Sequence, residues 1–378
     1  MKTPSIIHRS QSSAVEVDQA IDELLASTPD ESSLNIIFAT TPYDLKALGA
    51  GIKSRCNGTV IGCTTAGHIG PTGFQKAGAA LLTFSGSKTF ERTWVIENLA
   101  KPEKEIAHIR AEVNELLEHL DAKTVFGVLL VDGLCHEEER LSASLFAAMP
   151  SVPMVGGSAG DQLTFQATHV LFDGEFRQGI ATFTLVSTDM PFSVFSLKHH
   201  HPTETRLAIT KSDPVNRSVL EINGYPAAEA YAASVGVSVD DLGPSIYAKH
   251  PLMFRVGREY FIRSPFEITP DGAINFLCAI DVGDIVRIGE SRTMLESLAS
   301  EMQAVYDVVG GAQAILVFDC ILRRVEFEEH GLAKDAGDVM SRSNATGFCT
   351  YGEQLGSVHI NHTMVGIAFG PSAAVLPS

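Results

Sequence analysis

Apolar runs of strand length alternate with amphipathic stretches of helix length through the first half of this sequence. Leu34–Thr40 and Lys123–Val131 are near-continuous apolar runs with the length of buried strands. Pro102–Leu120 carries apolar residues at helical spacing, and Glu137–Met149 is also predicted to be a helix. Strands that are apolar on both faces need helices on both sides. The order therefore predicts an α/β fold around a buried sheet.

The second half has more hairpin signals, and we predict that it is α+β. Asp271-Gly272 marks a turn between two predicted strands, Phe266–Thr269 and Ala273–Ile280, and Arg258–Arg263 precedes them as another strand. Ser218–Ser234 is predicted to be a helix that is interrupted at residues 224–226.

Two domains are the expectation for a chain of 378 residues. The change in pattern places the boundary between residues 188 and 220. We therefore predict an N-terminal domain at residues 30–220 and a C-terminal domain at residues 221–370, both with mixed sheets flanked by helices.

The formal net charge of −17, from 28 Lys and Arg against 45 Asp and Glu, argues against a nucleic-acid partner. The chain begins without the apolar run of a signal peptide, and no run approaches the roughly 18–20 apolar residues of a membrane span. Six cysteines without close pairing fit a reducing compartment. The expected location is the cytoplasm, with no membrane partner.

Two turns of small residues are candidate ligand sites. Gly156–Gly160 (GGSAG) satisfies the G-x-S-x-G pattern of hydrolases, in which Ser158 would be the nucleophile. The alternative is a tight glycine turn that needs positive φ or a close backbone approach. Gly62–His68 is a second such turn after a strand, and the two turns are able to line one crevice at the ends of strands.

Several histidines are candidate iron or metal ligands. His359 and His362 are predicted to point to opposite faces of a strand, so each would act alone. His250 stands before Pro251 and three apolar residues, so it is either a wall of an apolar cofactor pocket or a turn-forming histidine at the start of a strand. The run at residues 199–201 is predicted to be an exposed edge.

Cys320 ends an apolar strand shortly before two arginines. It is either a small buried residue or a redox thiol that is activated by Arg323 and Arg324. Gly347–Gly352 followed by Glu353 mixes aromatic and polar groups, as a pocket wall does.

In this order, these segments resemble the FIST sensory family, in which a FIST-N region precedes a FIST-C region. The family pattern His-Asn-x-Thr is represented here by Ile360-Asn361-His362-Thr363, so the family histidine is displaced to His359 or His362. The resemblance covers residues 30–370, and its matching segments are Val60–His68, Val155–Asp161, Phe172–Gly174, His250–Leu252, Tyr260–Arg263, Asp271-Gly272, Val317–Arg323, Tyr351–Glu353 and Asn361–Thr363.

The resemblance implies a bacterial signal-input protein that is not an enzyme. A FIST protein of this length is similar to the haem-based, NosP-like branch. That branch implies haem b, nitric oxide as the sensed ligand, and a histidine kinase or a cyclic-di-GMP enzyme as partner. Two alternatives stay open, namely a FIST sensor of a non-haem small molecule such as an amino acid, and an esterase-like hydrolase that uses Ser158.

The resemblance also implies the site residues. His250, His359 and His362 are the candidate haem ligands, and at most one is expected to bind iron, with His250 favoured. The candidate residues for binding a small ligand are Thr64, Thr65, Gly67, Gly157, Ser158, Asp161, Cys320, Arg323, Tyr351 and Glu353.

Overall fold

A computed structural model describes residues 3–257, 259–291 and 293–372 of the chain. Within these ranges the α-helices are α1 (Val17–Leu25), α2 (Leu45–Arg55), α3 (Glu103–Leu117), α4 (Glu138–Ala148), α5 (Ala227–Val235), α6 (Pro244–Lys249), α7 (Met294–Val308), α8 (Ile321–Glu329) and α9 (Ala333–Arg342). None of these helices is both long and apolar enough to cross a membrane.

The strands of the first 190 residues are β1 (Ile6–Ser12), β2 (Ser32–Thr40), β3 (Thr59–Thr65), β4 (His68–Gly70), β5 (Gly73–Gln75), β6 (Ala79–Ser85), β7 (Phe90–Ile96), β8 (Val125–Val131), β9 (Met154–Ser158), β10 (Val170–Phe172), β11 (Glu175–Arg177) and β12 (Ala181–Ser187). The later strands are β13 (Phe192–Leu197), β14 (His200–Asp213), β15 (Ser218–Ile222), β16 (Tyr225–Pro226), β17 (Leu252–Val256), β18 (Glu259–Arg263), β19 (Pro265–Ile268), β20 (Ile274–Phe276), β21 (Ile285–Ser291), β22 (Ala314–Cys320), β23 (Ala345–Thr350), β24 (Glu353–Leu355), β25 (Val358–Ile360) and β26 (Met364–Phe369).

The described strands form four sheets. The first has the order β1-β6-β2-β3-β10-β11, the second β25-β24-β9-β8-β12-β7, and the third β13-β26-β22-β23-β4-β5. Each of these three contains one parallel pair, namely β2 with β3, β8 with β9, and β22 with β23. The fourth sheet, β18-β17-β21-β14-β15-β20-β19, is antiparallel, with β16 added to β15.

One apolar core joins the first three sheets. The ring of Phe38 in the first sheet stacks on Phe348 in the third, with centroids 4.6 Å apart. Phe369 of the third sheet lies with its ring centroid 5.4 Å from both Phe84 of the first and Phe126 of the second. These rings are all fully buried. Burial of such large apolar surfaces is the main force that holds the sheets together.

Helices cover the outer faces of these sheets. Apolar residues of α1 and α2 pack on the first sheet, those of α3 and α4 on the second, and those of α7 and α9 on the third. The central strands are therefore buried on both faces, which is why their sequences are apolar throughout. The predicted α/β class is confirmed. The antiparallel fourth sheet, packed against α5 and α6, gives the second half its α+β character.

Both halves of the sequence contribute strands to the same sheets. In the second sheet, β24 and β25 come from the end of the chain and pair next to β9. In the third sheet, β4 and β5 come from near its beginning and pair next to β23. The domain boundary at residue 220 stays a prediction from the sequence, and the second and third sheets contain strands from both sides of it.

The predicted helix at Ser218–Ser234 is wrong in its first part. Ser218–Ile222 is strand β15, and helix α5 begins only at Ala227. Asn223 and Gly224 have φ values of 54° and 81°, which a right-handed helix excludes, and Pro226 offers no backbone donor.

Two further strand predictions need correction. The sequence predicts a hairpin in which Asp173-Gly174 joins strands at Thr168–Phe172 and Gly179–Val186. In the structure this turn joins β10 to β11, whereas β12 belongs to the second sheet. The sequence also predicts one strand-like segment at Val358–Phe369, which is interrupted at residues 361–363, where His362 has a φ of 57°, and forms β25 and β26. Arg258, the predicted first residue of a strand, lies outside the described residues.

Candidate functional site

The carboxyl ends of the three parallel pairs meet at one place. The Gly160 N–H donates to the Thr64 carbonyl over 3.0 Å, which joins the ends of β9 and β3. The Ser158 N–H donates to Gly352 over 2.8 Å, which joins β9 to the loop after β23. Both predicted turns of small residues therefore line one junction, and open α/β sheets bind ligands at such ends.

The glycines of the GGSAG segment allow a close approach to neighbouring side chains, and they do not form a turn. Residues 154–158 run as strand β9, and no helix follows. A Cβ atom on Gly157 would lie 2.7 Å from Cγ2 of Thr350, and within 3.0 Å of the rings of Phe348 and Phe318. The predicted tight turn is therefore wrong, while the close approach that was expected with it is present, and a nucleophile elbow would need a turn into a helix.

Ser158 is fully buried and has an amide partner. Its Oγ accepts a hydrogen bond of 2.9 Å from Nε2 of Gln354, and the same Nε2 lies 3.1 Å from Nδ1 of His359. The amide thus separates the hydroxyl from the imidazole, where a hydrolase needs direct contact between serine and base. The geometry gives the esterase hypothesis no support.

Asp161 organises the loop that follows β9. Its carboxylate accepts hydrogen bonds from the N–H groups of Phe165, Gln166 and Ala167 at 2.6–2.9 Å, and from the Tyr351 hydroxyl. Burial alone would raise the pKa of Asp161, but the Tyr351 hydroxyl and the backbone donors lower it below its ordinary value. These two predicted ligand-binding residues therefore contact each other.

Glu353 is a buried carboxyl group at the same junction. It accepts hydrogen bonds from the hydroxyl of Thr350, and from the hydroxyl and N–H of Thr363 at 2.7 and 3.2 Å. Burial raises the pKa of Glu353 to about 8 despite these bonds. The group is therefore largely protonated at neutral pH.

The remaining predicted ligand-binding residues are also enclosed. Thr65 donates to the carbonyl of Gly67 over 2.5 Å. Cys320 is fully buried at the start of α8, and burial raises the pKa of its thiol well above the ordinary range. The hypothesis of an activated redox thiol at Cys320 is therefore not supported, because such a thiol needs a low pKa.

His359 and His362 lie in different polar clusters, although not as opposite faces of one strand, because His359 is in β25 and His362 is in the turn after it. His359 lies with Glu139 and Cys278. Its Nε2 has no hydrogen-bond partner among the described residues. Glu139 already bonds Arg217 and the N–H of Ala279. Both histidines are fully enclosed by protein groups.

His362 shares its cluster with two histidines that the sequence placed at an exposed edge. His199 and His200 are 2% and 1% exposed, so that prediction is wrong for both, and only His201 is exposed. All three imidazoles of the cluster surround the carboxylate of Glu326. Burial lowers the pKa of each imidazole, and that of His199 to about 4.

Glu326 holds this cluster together, and Arg323 closes one side of it. Oε2 of Glu326 lies 2.7 Å from Nε2 of His199 and 3.2 Å from Nε2 of His362. Burial opposes ionisation, but the bonds from both histidines keep the pKa of Glu326 well below its ordinary value. Arg323, a predicted ligand residue, contacts Asp319 and Nδ1 of His199, both over 2.6 Å.

His250 differs from the other two candidates because it faces open space. It lies at the end of α6 and is half-buried, and it lines a cavity of about 510 Å³. Burial, followed by the Lys249 ammonium, lowers the pKa of His250, so the imidazole is neutral at pH 7. The other lining residues are Lys249, Glu290, Ser291, Thr293, Met294, Leu295, Glu296, Glu326, His330 and Leu332.

A smaller cavity of about 310 Å³ borders the junction of the strand ends. Ala66 of the first turn lines it, together with Gln162 and Leu163 of the loop that Asp161 organises. Arg324 and Glu328, which form an ion pair of 2.9 Å, give its wall charges of both signs.

Comparisons with known proteins cover nearly the whole chain. Residues 33–225 match the FIST N domain, and residues 227–355 match the FIST C domain. An uncharacterized protein of Methanocaldococcus jannaschii is 22% identical over 96% of this chain and 78% of its own length.

Proposed function

The chain belongs to the FIST family, and on that premise we propose that it binds haem b and senses nitric oxide. FIST domains sense small ligands in signal transduction, which sets the general role of this protein. We propose further that it acts in the bacterial cytoplasm on a partner histidine kinase or a cyclic-di-GMP enzyme.

The cavity beside His250 is the observation that carries the haem proposal. A volume of about 510 Å³ lies within the usual range of ligand pockets, roughly 300–1,000 Å³. Met294, Leu295 and Leu332 provide apolar wall, and the Lys249 ammonium is available to a carboxylate of the ligand. His359 and His362, in contrast, are enclosed on all sides.

The protonation state of His250 supports the same assignment. A neutral imidazole is the form that binds metal, and burial keeps His250 in that form. Haem iron, when bound, would supply the site for nitric oxide.

Haemin titration of haem-free protein tests this assignment. Wild type is expected to develop a Soret band, and His250→Ala to bind haemin at least about tenfold more weakly because its iron ligand is lost. The matched control is His108→Ala, which removes an exposed imidazole of α3 that pairs with Glu112. Absence of a Soret band in wild type, or equal binding by all three proteins, would contradict the proposal.

A second candidate function is the sensing of an amino acid. The cavity of about 310 Å³ beside Ala66 carries charges of both signs, which suits a zwitterion. A thermal shift with amino acids in haem-free protein would favour this candidate, because a ligand that binds only the folded state raises Tm. The shift should disappear in Arg324→Ala and persist in His250→Ala.

A further inference from the structure

Three imidazoles surround one carboxylate oxygen in the interior of this protein. Nε2 of His199, His362 and His200 lie 2.7, 3.2 and 3.7 Å from Oε2 of Glu326. The side chains of all four residues are at most 2% exposed. They come from three distant parts of the chain, namely the start of β14, helix α8 and the turn before β26.

The spacing of these atoms suits one small metal ion. One potential ligand atom from each of the four residues lies within 4.8 Å of the other three. A tetrahedral zinc ion with bonds of about 2.0–2.1 Å separates its ligands by about 3.3–3.4 Å. The three distances to Oε2 bracket that value, so small side-chain movements are enough to close the site.

The charge of the surroundings also favours a cation. The positive charge of Arg323 is balanced by the neighbouring carboxylate of Asp319, with which it forms an ion pair of 2.6 Å. Among the described residues, the carboxylate of Glu326 then has ion-pair contacts with three imidazoles and with no lysine or arginine. A buried carboxylate without a full countercharge is costly. In addition, Oε1 of Glu326 has no hydrogen-bond partner among the described residues.

We propose that His199, His200, His362 and Glu326 bind one divalent transition-metal ion, with zinc as the first choice. Three imidazole ligands select such ions over magnesium and calcium, which prefer oxygen. Glu326 also lines the cavity beside His250, so this cavity lies on the side of the cluster that is nearest to open space. The proposal does not rest on haem binding.

The hydrogen bonds around the cluster indicate which contacts would change when a metal ion binds. A metal on Nε2 places the ring proton on Nδ1, and for His362 this nitrogen faces Oγ of Ser264 at 3.5 Å. For His199 it faces a guanidinium nitrogen of Arg323 at 2.6 Å, and two donors repel each other. Loading therefore moves Arg323 away from His199, while its Nε bond to Asp319 is able to persist.

The other potential metal group in the described residues provides a matched control. It comprises Glu139, Cys278 and His359. Its thiol already bonds the amide oxygen of Asn361, and burial raises the pKa of Cys278 to about 12. A metal there would include a thiolate, which gives a different spectrum from three imidazoles and a carboxylate.

Calorimetric zinc titration of full-length, haem-free, chelator-treated protein tests the proposal. We expect one zinc ion per chain in wild type and in Cys278→Ser. His362→Gln and Glu326→Gln should bind at least about tenfold more weakly, because each loses a ligand. Circular dichroism checks that both variants fold. Absence of binding in wild type, or undiminished binding in both ligand variants, would overturn the proposal.

Cobalt substitution gives a second answer that does not depend on removing a proposed ligand. Co²⁺ at the proposed site should show visible bands of tetrahedral cobalt without thiolate-to-cobalt charge transfer. A charge-transfer band that disappears in Cys278→Ser would place the metal at the other group and overturn the proposal. Haem is absent from these experiments, so a protein that binds no metal ion leaves the haem proposal unaffected. In the same way, a protein that binds no haemin leaves the metal proposal unaffected.

Discussion

Glu353 is fully buried, and its carboxyl group accepts hydrogen bonds from Thr350 and Thr363. Its pKa rises from 4.5 to about 8 because burial penalises the charged form. In the unfolded chain the pKa returns towards 4.5, so between these values only the folded protein holds the proton. The stability from this group is therefore full below pH 4.5 and is lost as the pH rises through about 8.

Glu353→Gln should remove this pH dependence, because the amide keeps the shape of the protonated group without titrating. Relative to the variant, wild type is expected to lose up to about 1.4 kcal/mol of unfolding free energy per pH unit between about pH 5 and 8. Urea unfolding of both proteins at three pH values measures this difference. A difference that stays constant with pH would contradict the assignment.

Single residues of the junction could be predicted from the sequence, but the histidine cluster around Glu326 could not. Ser158, Asp161 and Tyr351 stand in segments that resemble a family, and they do lie together. His199 and Glu326 are separated by 127 positions and carry no motif. Adjacent polar residues beside a proline are typical of an exposed edge, and only tertiary packing buries them here.

Strand β9 passes unusually close to the third sheet. Gly157 faces Phe348 and Thr350 of β23 and Phe318 of β22, with no room for a Cβ atom. The elements themselves were mostly predictable, because apolar runs such as β8 are buried on both faces. The helix predicted over β15 is wrong because the positive φ values at Asn223 and Gly224 break a helix, whatever the helix propensity of the residues around them.

Gly157→Ala should destabilise the protein by about 1–3 kcal/mol, because the new methyl group overpacks the contact between β9 and β23. Gly243→Ala is the matched control, since its extended backbone has nothing within 4 Å of the new Cβ atom. That variant should stay within about 0.5 kcal/mol of wild type. Guanidinium unfolding compares the three proteins, and equal stability of both variants would refute the close approach.

At the scale of the molecule, both sequence halves build the second and third sheets. Strand β24 pairs with β9 across 195 residues or more of sequence, as the partners Glu353 and Gly157 show. Pairing of this kind has no local signal, so the sequence could predict two family regions but not their shared sheets. The common core of three sheets makes cooperative folding of the whole chain the natural expectation.

Residues 1–220 and 221–378, expressed separately, should therefore fail to fold, because each loses strands that complete its sheets. The intact chain should unfold in one transition that is shared by circular dichroism and tryptophan fluorescence, with Trp94 in the second sheet as the probe. A separate half that unfolds sigmoidally with native-like circular dichroism would contradict this view.

We propose that this FIST protein senses nitric oxide through haem held by His250. Titration of the ferrous, haem-loaded protein with nitric oxide tests this directly while the Soret band is followed. We predict a saturable shift of the band in wild type and in His108→Ala, and loss of the wild-type spectrum in His250→Ala. A Soret band of the ferrous protein that does not move with nitric oxide would contradict nitric oxide sensing through haem.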